Sequence, residues 1–158
     1  MIKIRKYKES DARALWAIFY HTIRNVNIRD YSHAQVEAWA PDNFDPEVWQ
    51  RKMNSIAPFV AEIDGDIVGY TDLQENGLID HFFCHHEQQG KGKGKGIGRS
   101  LMEHVLNVGK QQGIYKFYSE VSITARPFYE RLGFKVVQEQ TVEVRGQKLR
   151  NFVMEKFS

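Results

Sequence analysis

Residues Gln88 to Ser100 read QQGKGKGKGIGRS and contain five of the 12 glycines in this chain of 158 residues. A strand-like segment from Leu78 to about Cys84 leads into this glycine tract, and an amphipathic helix follows it from about Arg99. A helix N-terminus presents unpaired N–H groups and the positive end of the helix dipole, and preceding glycines let the backbone close around an anion. The tract is therefore predicted to bind phosphate groups.

Three phosphate-binding motifs differ in the spacing of their glycines. A P-loop requires G-x-x-x-x-G-K-[ST], which no register of the tract supplies. The Rossmann pattern G-x-G-x-x-G fails because the glycines alternate strictly, so that Gly94 and Gly96 would require a glycine where Arg99 stands. The pattern Q-x-x-G-x-G fits from Gln89 to Gly94.

A second pattern, A-x-x-F-Y-x-x-x-G-F, extends from Ala125 to Phe134. Its apolar residues recur at helical spacing, which by itself is typical of a buried helix face. Together, in this order, the two patterns resemble the coenzyme A pyrophosphate loop and the second signature of the GCN5-related N-acetyltransferases, or GNAT family. The resemblance spans nearly the whole chain and indicates a poorly characterised bacterial branch of that family.

The resemblance implies an α+β fold of three layers (α/β/α), within one domain that covers residues 1–158. Its centre is a mixed, mostly antiparallel sheet of about seven strands with helices on both faces. The hydrophobic pattern fits this expectation, with an alternating first strand and helices that begin near Ser10, at Ser32 and at Asp45. Asp64-Gly65 and Asn76-Gly77 are tight-turn signals between strands. Two closing strands, Lys135–Val144 and Leu149–Lys156, are predicted to flank Arg145-Gly146.

The family resemblance implies acetyl-CoA as co-substrate. Its phosphates belong at the helix N-terminus, so the register from Lys93 to Ser100 is favoured, and the duplicated Lys-Gly leaves residues 89–92 as a bulge. The position of Ser122 is often Asn in the family, where it contacts the coenzyme. The residues expected to contact the coenzyme are Phe83, Cys84, His85, Lys93, Gly94, Lys95, Gly96, Ile97, Gly98, Arg99, Ser100, Ser122 and Tyr129.

Tyr129 occupies the family position beside the coenzyme sulfur, and a phenol of pKa about 10 is suited to protonate a leaving thiolate. An amine acceptor must lose a proton before it attacks, and Asp80 and His81 are the main candidate bases. His85, Glu120 and a water relay remain open as alternatives. The resemblance further implies that a backbone N–H near Cys84 polarises the acetyl carbonyl.

No metal is expected. Strand alternation directs neighbouring side chains of His81, Cys84, His85 and His86 to opposite faces, and no second cluster completes a ligand set. Cys84 is the single cysteine, so no intramolecular disulfide forms. The N-terminus lacks an apolar signal region and no window is long enough to span a membrane, which together predict a cytoplasmic protein without a membrane partner.

The predicted function is N-acetyltransfer from acetyl-CoA to a primary amine of a small molecule or peptide, by direct transfer in a ternary complex. The alternative is a non-catalytic acyl-CoA-binding sensor or regulatory module. Nucleic acid is not an expected partner, because the net charge is only +2 and no basic face accompanies the tract. The sequence leaves the acceptor and the oligomeric state open, including a homodimer. Tyr31 and Trp39 line either the acceptor pocket or the core.

Overall fold

The computed structural model describes residues 1–85 and 96–158, and over these ranges it contains seven strands and five helices. Two 3₁₀ turns, Glu9–Asp11 and Asn27–Arg29, flank the first helix. The strands are β1 (Ile2–Lys6), β2 (Phe59–Ile63), β3 (Asp66–Thr71), β4 (Phe82–Cys84), β5 (Lys116–Ser122), β6 (Lys135–Val144) and β7 (Gln147–Phe157). The helices are α1 (Ala12–Asn25), α2 (His33–Trp39), α3 (Pro46–Ile56), α4 (Ile97–Gln111) and α5 (Arg126–Arg131).

Capping residues account for where α2 and α3 begin. The Ser32 hydroxyl accepts a hydrogen bond from the Gln35 N–H, and the side-chain oxygen of Gln35 accepts one from the Ser32 N–H, which completes a capping box. The Asp45 carboxylate accepts from the Glu47 N–H, with Pro46 at the first helical position. The prediction of Ser10 as the cap of α1 was wrong. Asp11 precedes the helix instead, and its carboxylate is held by the Arg5 guanidinium at 2.8 Å.

The strands divide into two antiparallel sheets, with the orders β1-β2-β3-β4 and β5-β7-β6. One parallel bridge joins them within the described chain, in which the Ile79 N–H donates to the Tyr118 carbonyl at 2.9 Å and the Tyr118 N–H donates to the Gly77 carbonyl at 3.1 Å. Beyond this bridge β4 and β5 diverge. The predicted fold class is confirmed, and the division of its seven strands into two sheets creates a gap in the middle of the molecule.

Helices cover both faces of the first sheet. Helices α1, α2 and α3 share a core with Val60 and Tyr70, whereas α4 packs Ile97 and Leu101 onto the opposite face. The other side of α4 packs onto the second sheet, so this helix bridges the two halves. Its close approach to Phe117 depends on Gly109, where an added Cβ would lie 2.4 Å from the aromatic ring.

Left-handed residues close the turns that the sequence indicates. Asp64 and Gly65 have φ angles of +52° and +85°, and Arg145 and Gly146 have φ angles of +45° and +83°. These values match the tight hairpin turns between β2 and β3 and between β6 and β7. Gly133 ends α5 with φ +94°, as predicted. None of the described helices has both the length and the apolar character that crossing a membrane requires.

Candidate active site

The gap between β4 and β5 opens into a cavity of about 860 Å³. Its walls come from α1, β4, the first turn of α4, β5, α5 and the β6–β7 hairpin. Residues that are far apart in sequence therefore meet in one place. The predicted site residues that line it are Asp80, His81, Phe83, Cys84, Gly96, Ile97, Gly98, Arg99, Ser122 and Tyr129.

Some of the backbone N–H and C=O groups of β4 point toward the gap. The His85 N–H donates to the Val68 carbonyl, and the Asp72 N–H donates to the His81 carbonyl, so the odd-numbered residues of this segment bond to β3. In an antiparallel pair the intervening residues direct their N–H and C=O groups the other way. Phe82 and Cys84 therefore present their backbone to the divide between the sheets.

The first turn of α4 lies at the same gap. Its N-cap, Gly96, has φ +92° and supplies no side-chain hydrogen bond, and no acidic residue occupies the first turn. The first backbone hydrogen bond of α4 is from the Ser100 N–H to the Gly96 carbonyl, at 2.9 Å. The N–H groups of Ile97, Gly98 and Arg99 precede it and have no acceptor within the helix, which suits an anion.

Several of the predicted site residues lie away from the cavity or outside the described ranges. Lys93, Gly94 and Lys95 belong to residues 86–95, which the structure does not describe, and the register of the glycine tract lies there too. His85 and Ser100 do not line the cavity among the described residues. The Ser100 N–H is used within α4, and the His85 N–H is bonded to β3.

Tyr129 is buried at 3% exposure, with its hydroxyl 3.4 Å from the Ser119 hydroxyl. Ser119 in turn donates to the Ile79 carbonyl at 2.7 Å. Burial raises the pKa of Tyr129 above that of a free phenol, so it carries its proton at neutral pH. The ring is fixed against Phe82 and Phe134, at centroid distances of 5.9 and 5.0 Å.

Asp80 and His81 both lie on the side of α3, contrary to the strand alternation expected for them. The reason is local, because the N–H groups of both residues donate to one oxygen of Asp72, at 2.9 and 2.8 Å, which interrupts the extended backbone. The predicted strand from Leu78 consequently begins only at Phe82. The Asp80 carboxylate accepts from the Lys52 ammonium at 2.7 Å.

His81 lies among aromatic rings, with Phe19, Trp49 and Phe83 at centroid distances of 5.6, 5.9 and 5.8 Å. Burial lowers its pKa to about 4, so the imidazole is neutral at pH 7. Its Nδ1 is 3.0 Å from the hydroxyl of Tyr70, which is fully buried and has a pKa raised by that burial.

The Ser122 hydroxyl accepts from the Ala125 N–H at 3.0 Å, and thus connects β5 to α5. It also accepts from the Asn27 side-chain amide, at 3.3 Å. Asn27 is 5% exposed and lines the cavity from the turn after α1. An amide is therefore present beside Ser122, although it comes from an element 95 residues away.

Two buried polar atoms of the cavity wall have no hydrogen-bond partner among the described residues, namely Thr124 Oγ1 and Asn151 Oδ1. Such atoms are rare in folded proteins, because an unsatisfied buried group costs about 1–3 kcal/mol. Together with the N–H groups of the first turn of α4, they give the cavity unsatisfied polar groups that a polar ligand can meet.

The acetyltransferase (GNAT) domain family model matches residues 27–156. The chain belongs to the GNAT family. A similar protein is an uncharacterised N-acetyltransferase, YafP of Escherichia coli strain K12, which is 32% identical over 153 residues, covering 97% of this chain and 94% of the relative. The spermine/spermidine N(1)-acetyltransferase of Bacillus subtilis strain 168 is 32% identical over 97 residues, covering 54% of this chain and 62% of the relative.

Solved structures agree with this assignment. A GCN5-related N-acetyltransferase from Rhodopseudomonas palustris superposes with a TM-score of 0.91 at 26% identity, over 99% of this chain and 95% of that one. The PaiA N-acetyltransferase of Thermoplasma acidophilum, solved in complex with coenzyme A, shares the fold with a TM-score of 0.73 at 20% identity, over 100% and 99% of the two chains. This GNAT protein is accordingly an acyltransferase.

Three polar contacts in the cavity region of this acetyltransferase were not predicted from the sequence. Asp72 organises the start of β4, Asn27 contacts Ser122, and the Thr22 hydroxyl donates to the Cys84 carbonyl at 2.8 Å. Each is a buried polar side chain inside an otherwise apolar neighbourhood. A polar residue within an apolar stretch of sequence can indicate such a site, but only the fold shows which distant residue each of these side chains contacts.

Proposed function

We propose that this GNAT protein transfers the acetyl group of acetyl-CoA to a primary amine by direct transfer in a ternary complex. The observation that carries the proposal is the position of Tyr129. Its buried, protonated hydroxyl lines the same cavity as the first turn of α4 and the backbone edge of β4. A phosphate site, an acyl-binding edge and a proton donor are thus combined in one cleft.

The coenzyme is proposed to bind across the gap. Its pyrophosphate accepts from the N–H groups of the α4 first turn, with Lys93 to Gly96 before it and Arg99 and Ser100 within it. Its pantetheine arm lies along Phe83 and Cys84 and reaches Ser122, while Ile97 and Gly98 cover it. The CoA-bound PaiA relative supports this cofactor class.

In the transfer step the amine nitrogen attacks the acetyl carbonyl carbon, a C–N bond forms and the C–S bond breaks. The negative charge that develops on the carbonyl oxygen is stabilised by the β4 backbone N–H of Cys84, which the register directs toward the gap. The departing thiolate takes the proton of the Tyr129 hydroxyl. The products are an N-acetylated amine and coenzyme A.

We assign the base to Asp80 rather than to His81. The Tyr70 hydroxyl, which burial keeps protonated, is hydrogen-bonded to His81 Nδ1 at 3.0 Å. Burial among aromatic rings disfavours the cation that His81 would become on accepting the amine proton. Asp80 is a partly exposed carboxylate at the cavity, held by Lys52, and accepts the amine proton directly or through water.

The first experiment measures acetyl-CoA binding by calorimetry and thiol release over a panel of primary amines. Tyr129→Phe is expected to lower kcat by about 10²-fold, within the range of general acid catalysis, with the affinity for acetyl-CoA retained. Tyr115→Phe, at a residue 71% exposed, is the matched control. Absence of acetyl-CoA binding contradicts the proposal, and binding without turnover on any amine supports the sensor alternative.

The second experiment separates the candidate bases. Asp80→Asn is expected to lower kcat/KM by about 10²-fold, because proton removal from the amine then lacks its acceptor. His81→Gln is expected to cost less than tenfold, since the side chain serves as a cavity wall. The opposite order of the two effects assigns the base to His81, and loss in neither variant indicates Glu120 or water.

A further inference from the structure

We call one part of the cavity wall the acceptor end; its residues come from the α1–α2 connection, the end of α2 and the β6–β7 hairpin, and are Val26, Arg29, Trp39, Val142, Leu149 and Asn151. The residues of the acceptor end indicate which class of molecule can bind there. The inference below rests on the proposed function, because it names the class of amine that the transfer step consumes.

Charge is the first observation. Among the described residues that line the cavity, Asp80 forms an ion pair with Lys52 at 2.7 Å, and Glu120 accepts a hydrogen bond from the neutral Gln140 amide at 2.6 Å. Arg29 lines the acceptor end, and within residues 1–85 and 96–158 its guanidinium has no ion-pair partner. A guanidinium binds a carboxylate through two parallel hydrogen bonds. The guanidinium of Arg29 therefore equips the acceptor end for an anionic group.

Shape and polarity are the second observation. Val142 and Leu149 face each other across the β6–β7 pair, and Trp39 packs edge-on against Tyr31 at 5.5 Å. Tyr31 fixes this wall, since its hydroxyl donates to the Arg150 carbonyl at 2.6 Å and accepts from the Ile123 N–H at 3.0 Å. The wall is apolar and rigid, which suits a hydrophobic side chain.

Asn151 supplies the third observation. It pairs with Ser122 across β5 and β7, and its buried Oδ1 has no donor among the described residues. A buried acceptor of this kind gains most from a ligand that brings an N–H group. The amine nitrogen of an acceptor beside Ser122 would donate such an N–H group to Asn151. Ser122 ends β5, the strand that leads to the helix carrying Tyr129.

We propose that the acceptor is a primary amine that also carries a carboxylate and an apolar side chain, as an apolar α-amino acid does. Arg29 binds the carboxylate, Trp39 and Leu149 contact the side chain, and Asn151 accepts a hydrogen bond from the amine. Polyamines, the substrates in the name of the Bacillus subtilis relative, are the competing class.

The experiment compares L-phenylalanine and L-leucine with phenethylamine, isoamylamine and spermidine, by thiol release with acetyl-CoA. The wild type is expected to prefer the amino acids over the amines that lack a carboxylate. Arg29→Gln is expected to reduce the ratio of kcat/KM for L-phenylalanine to that for phenethylamine by about tenfold, and Arg29→Lys to reduce it less. Arg51→Gln, at an exposed arginine of α3, is the control.

A second readout keeps the inference separate from the proposed function. L-phenylalanine binding to the coenzyme A complex is measured by calorimetry for the wild type and for Arg29→Gln. Binding that depends on Arg29 without any thiol release supports the acceptor end and contradicts the transferase proposal. Preferential turnover of spermidine, or a ratio that Arg29→Gln does not change, overturns the inference.

Discussion

Ser119 donates its single hydroxyl proton to the Ile79 carbonyl at 2.7 Å, so it has only lone pairs to offer Tyr129. The Tyr129 hydroxyl must therefore be the donor of the 3.4 Å contact between them. A bond of that length is weak, and the phenol is consequently able to redirect its proton toward a ligand in the cavity. The orientation of the Tyr129 hydroxyl thus depends on Ser119, which lies ten positions before it.

Replacement of Ser119 by alanine tests this arrangement. Ser119→Ala is expected to lower kcat by less than tenfold, because the phenol keeps its proton but loses the contact that holds it toward the cavity. The KM for acetyl-CoA is expected to change little. Steady-state kinetics beside Tyr129→Phe provide the measurement. A loss as large as that of Tyr129→Phe would indicate that Ser119 itself takes part in the proton transfer.

Gly98 allows the first turn of α4 to lie against Phe128. An added Cβ would be 2.9 Å from that ring, closer than real contacts permit. Gly98→Ala is expected to lower the free energy of unfolding by about 1–3 kcal/mol, as overpacking does, and to weaken acetyl-CoA binding because the displaced ring intrudes on the cavity. Urea denaturation and calorimetry measure the two effects.

Gly109 provides the matched control at the far end of the same helix. Its added Cβ would lie 2.4 Å from Phe117, so Gly109→Ala is expected to destabilise the protein at least as much. Gly109 does not line the cavity, and acetyl-CoA affinity is expected to be retained. Equal losses of affinity in the two variants would show that the effect is one of general stability.

At the scale of elements, Asp72 sets the beginning of β4. It is fully buried, and one of its carboxylate oxygens accepts the N–H groups of Asp80 and His81. Burial raises the pKa of Asp72 from 3.8 to about 6. The folded protein therefore holds a proton there that the unfolded chain releases, and this group lowers stability as pH rises from about 4 to about 6.

His81 has the opposite effect on stability. Burial lowers its pKa from 6.5 to about 4, so the unfolded chain binds a proton that the folded protein excludes. Its contribution to stability is present above pH 6.5 and is lost as pH falls toward 4. The two neighbours therefore oppose each other over nearly the same pH interval, and the stability of the wild type is expected to depend little on pH through this pair.

Asp72→Asn is expected to expose this cancellation. The asparagine carbonyl still accepts both N–H groups but no longer titrates, so the stability of the variant relative to wild type is expected to rise by about 2 kcal/mol between pH 4 and pH 6.5. Urea denaturation across that range is the measurement. His81→Gln is the counterpart, and its relative stability is expected to fall over the same range. Parallel curves for Asp72→Asn and wild type would contradict this account.

Local signals in the sequence predicted many of the elements. The caps at Ser32 and Asp45, the turns at Gly65 and Gly146 and the C-terminal cap at Gly133 are as expected, because each depends on neighbouring residues only. The start of β4 was mispredicted, because an alternating pattern does not show that a carboxylate from β3 captures two of its N–H groups. Caps and turns formed by neighbouring residues can be predicted from the sequence, whereas tertiary hydrogen bonds cannot.

The same distinction holds for the candidate site. The two family motifs led to Tyr129, Ser122 and the first turn of α4, and all of these line the cavity. The contact between Asn27 and Ser122 was not predicted, because the two residues are 95 positions apart and no periodicity links them. The division of the strands into two sheets was likewise not predicted, since it depends on where β4 and β5 separate.

At the scale of the whole molecule, the two sheets meet through the Leu78–Tyr118 bridge and through the packing of α4. A ligand in the gap adds contacts to both sheets at once. Acetyl-CoA at 100 times its Kd is expected to raise the free energy of unfolding by about 2.7 kcal/mol, and to slow amide hydrogen exchange in β4 and β5 together. Protection confined to one sheet would show that the ligand does not bridge the gap.

The divergence of β4 from β5 also bears on how the protein behaves in concentrated solution. An exposed strand edge is a template on which another chain can add a strand, and many proteins associate in this way. Here β4 is only three residues long, and Thr22 already occupies the carbonyl of Cys84. Both features shorten the edge available to a second molecule. A coenzyme bound in the gap would cover the rest of this strand edge. The molecule that carries the acetyl group would then also protect the protein from self-association. Protein stripped of its coenzyme is therefore expected to lose monodispersity before the coenzyme complex does.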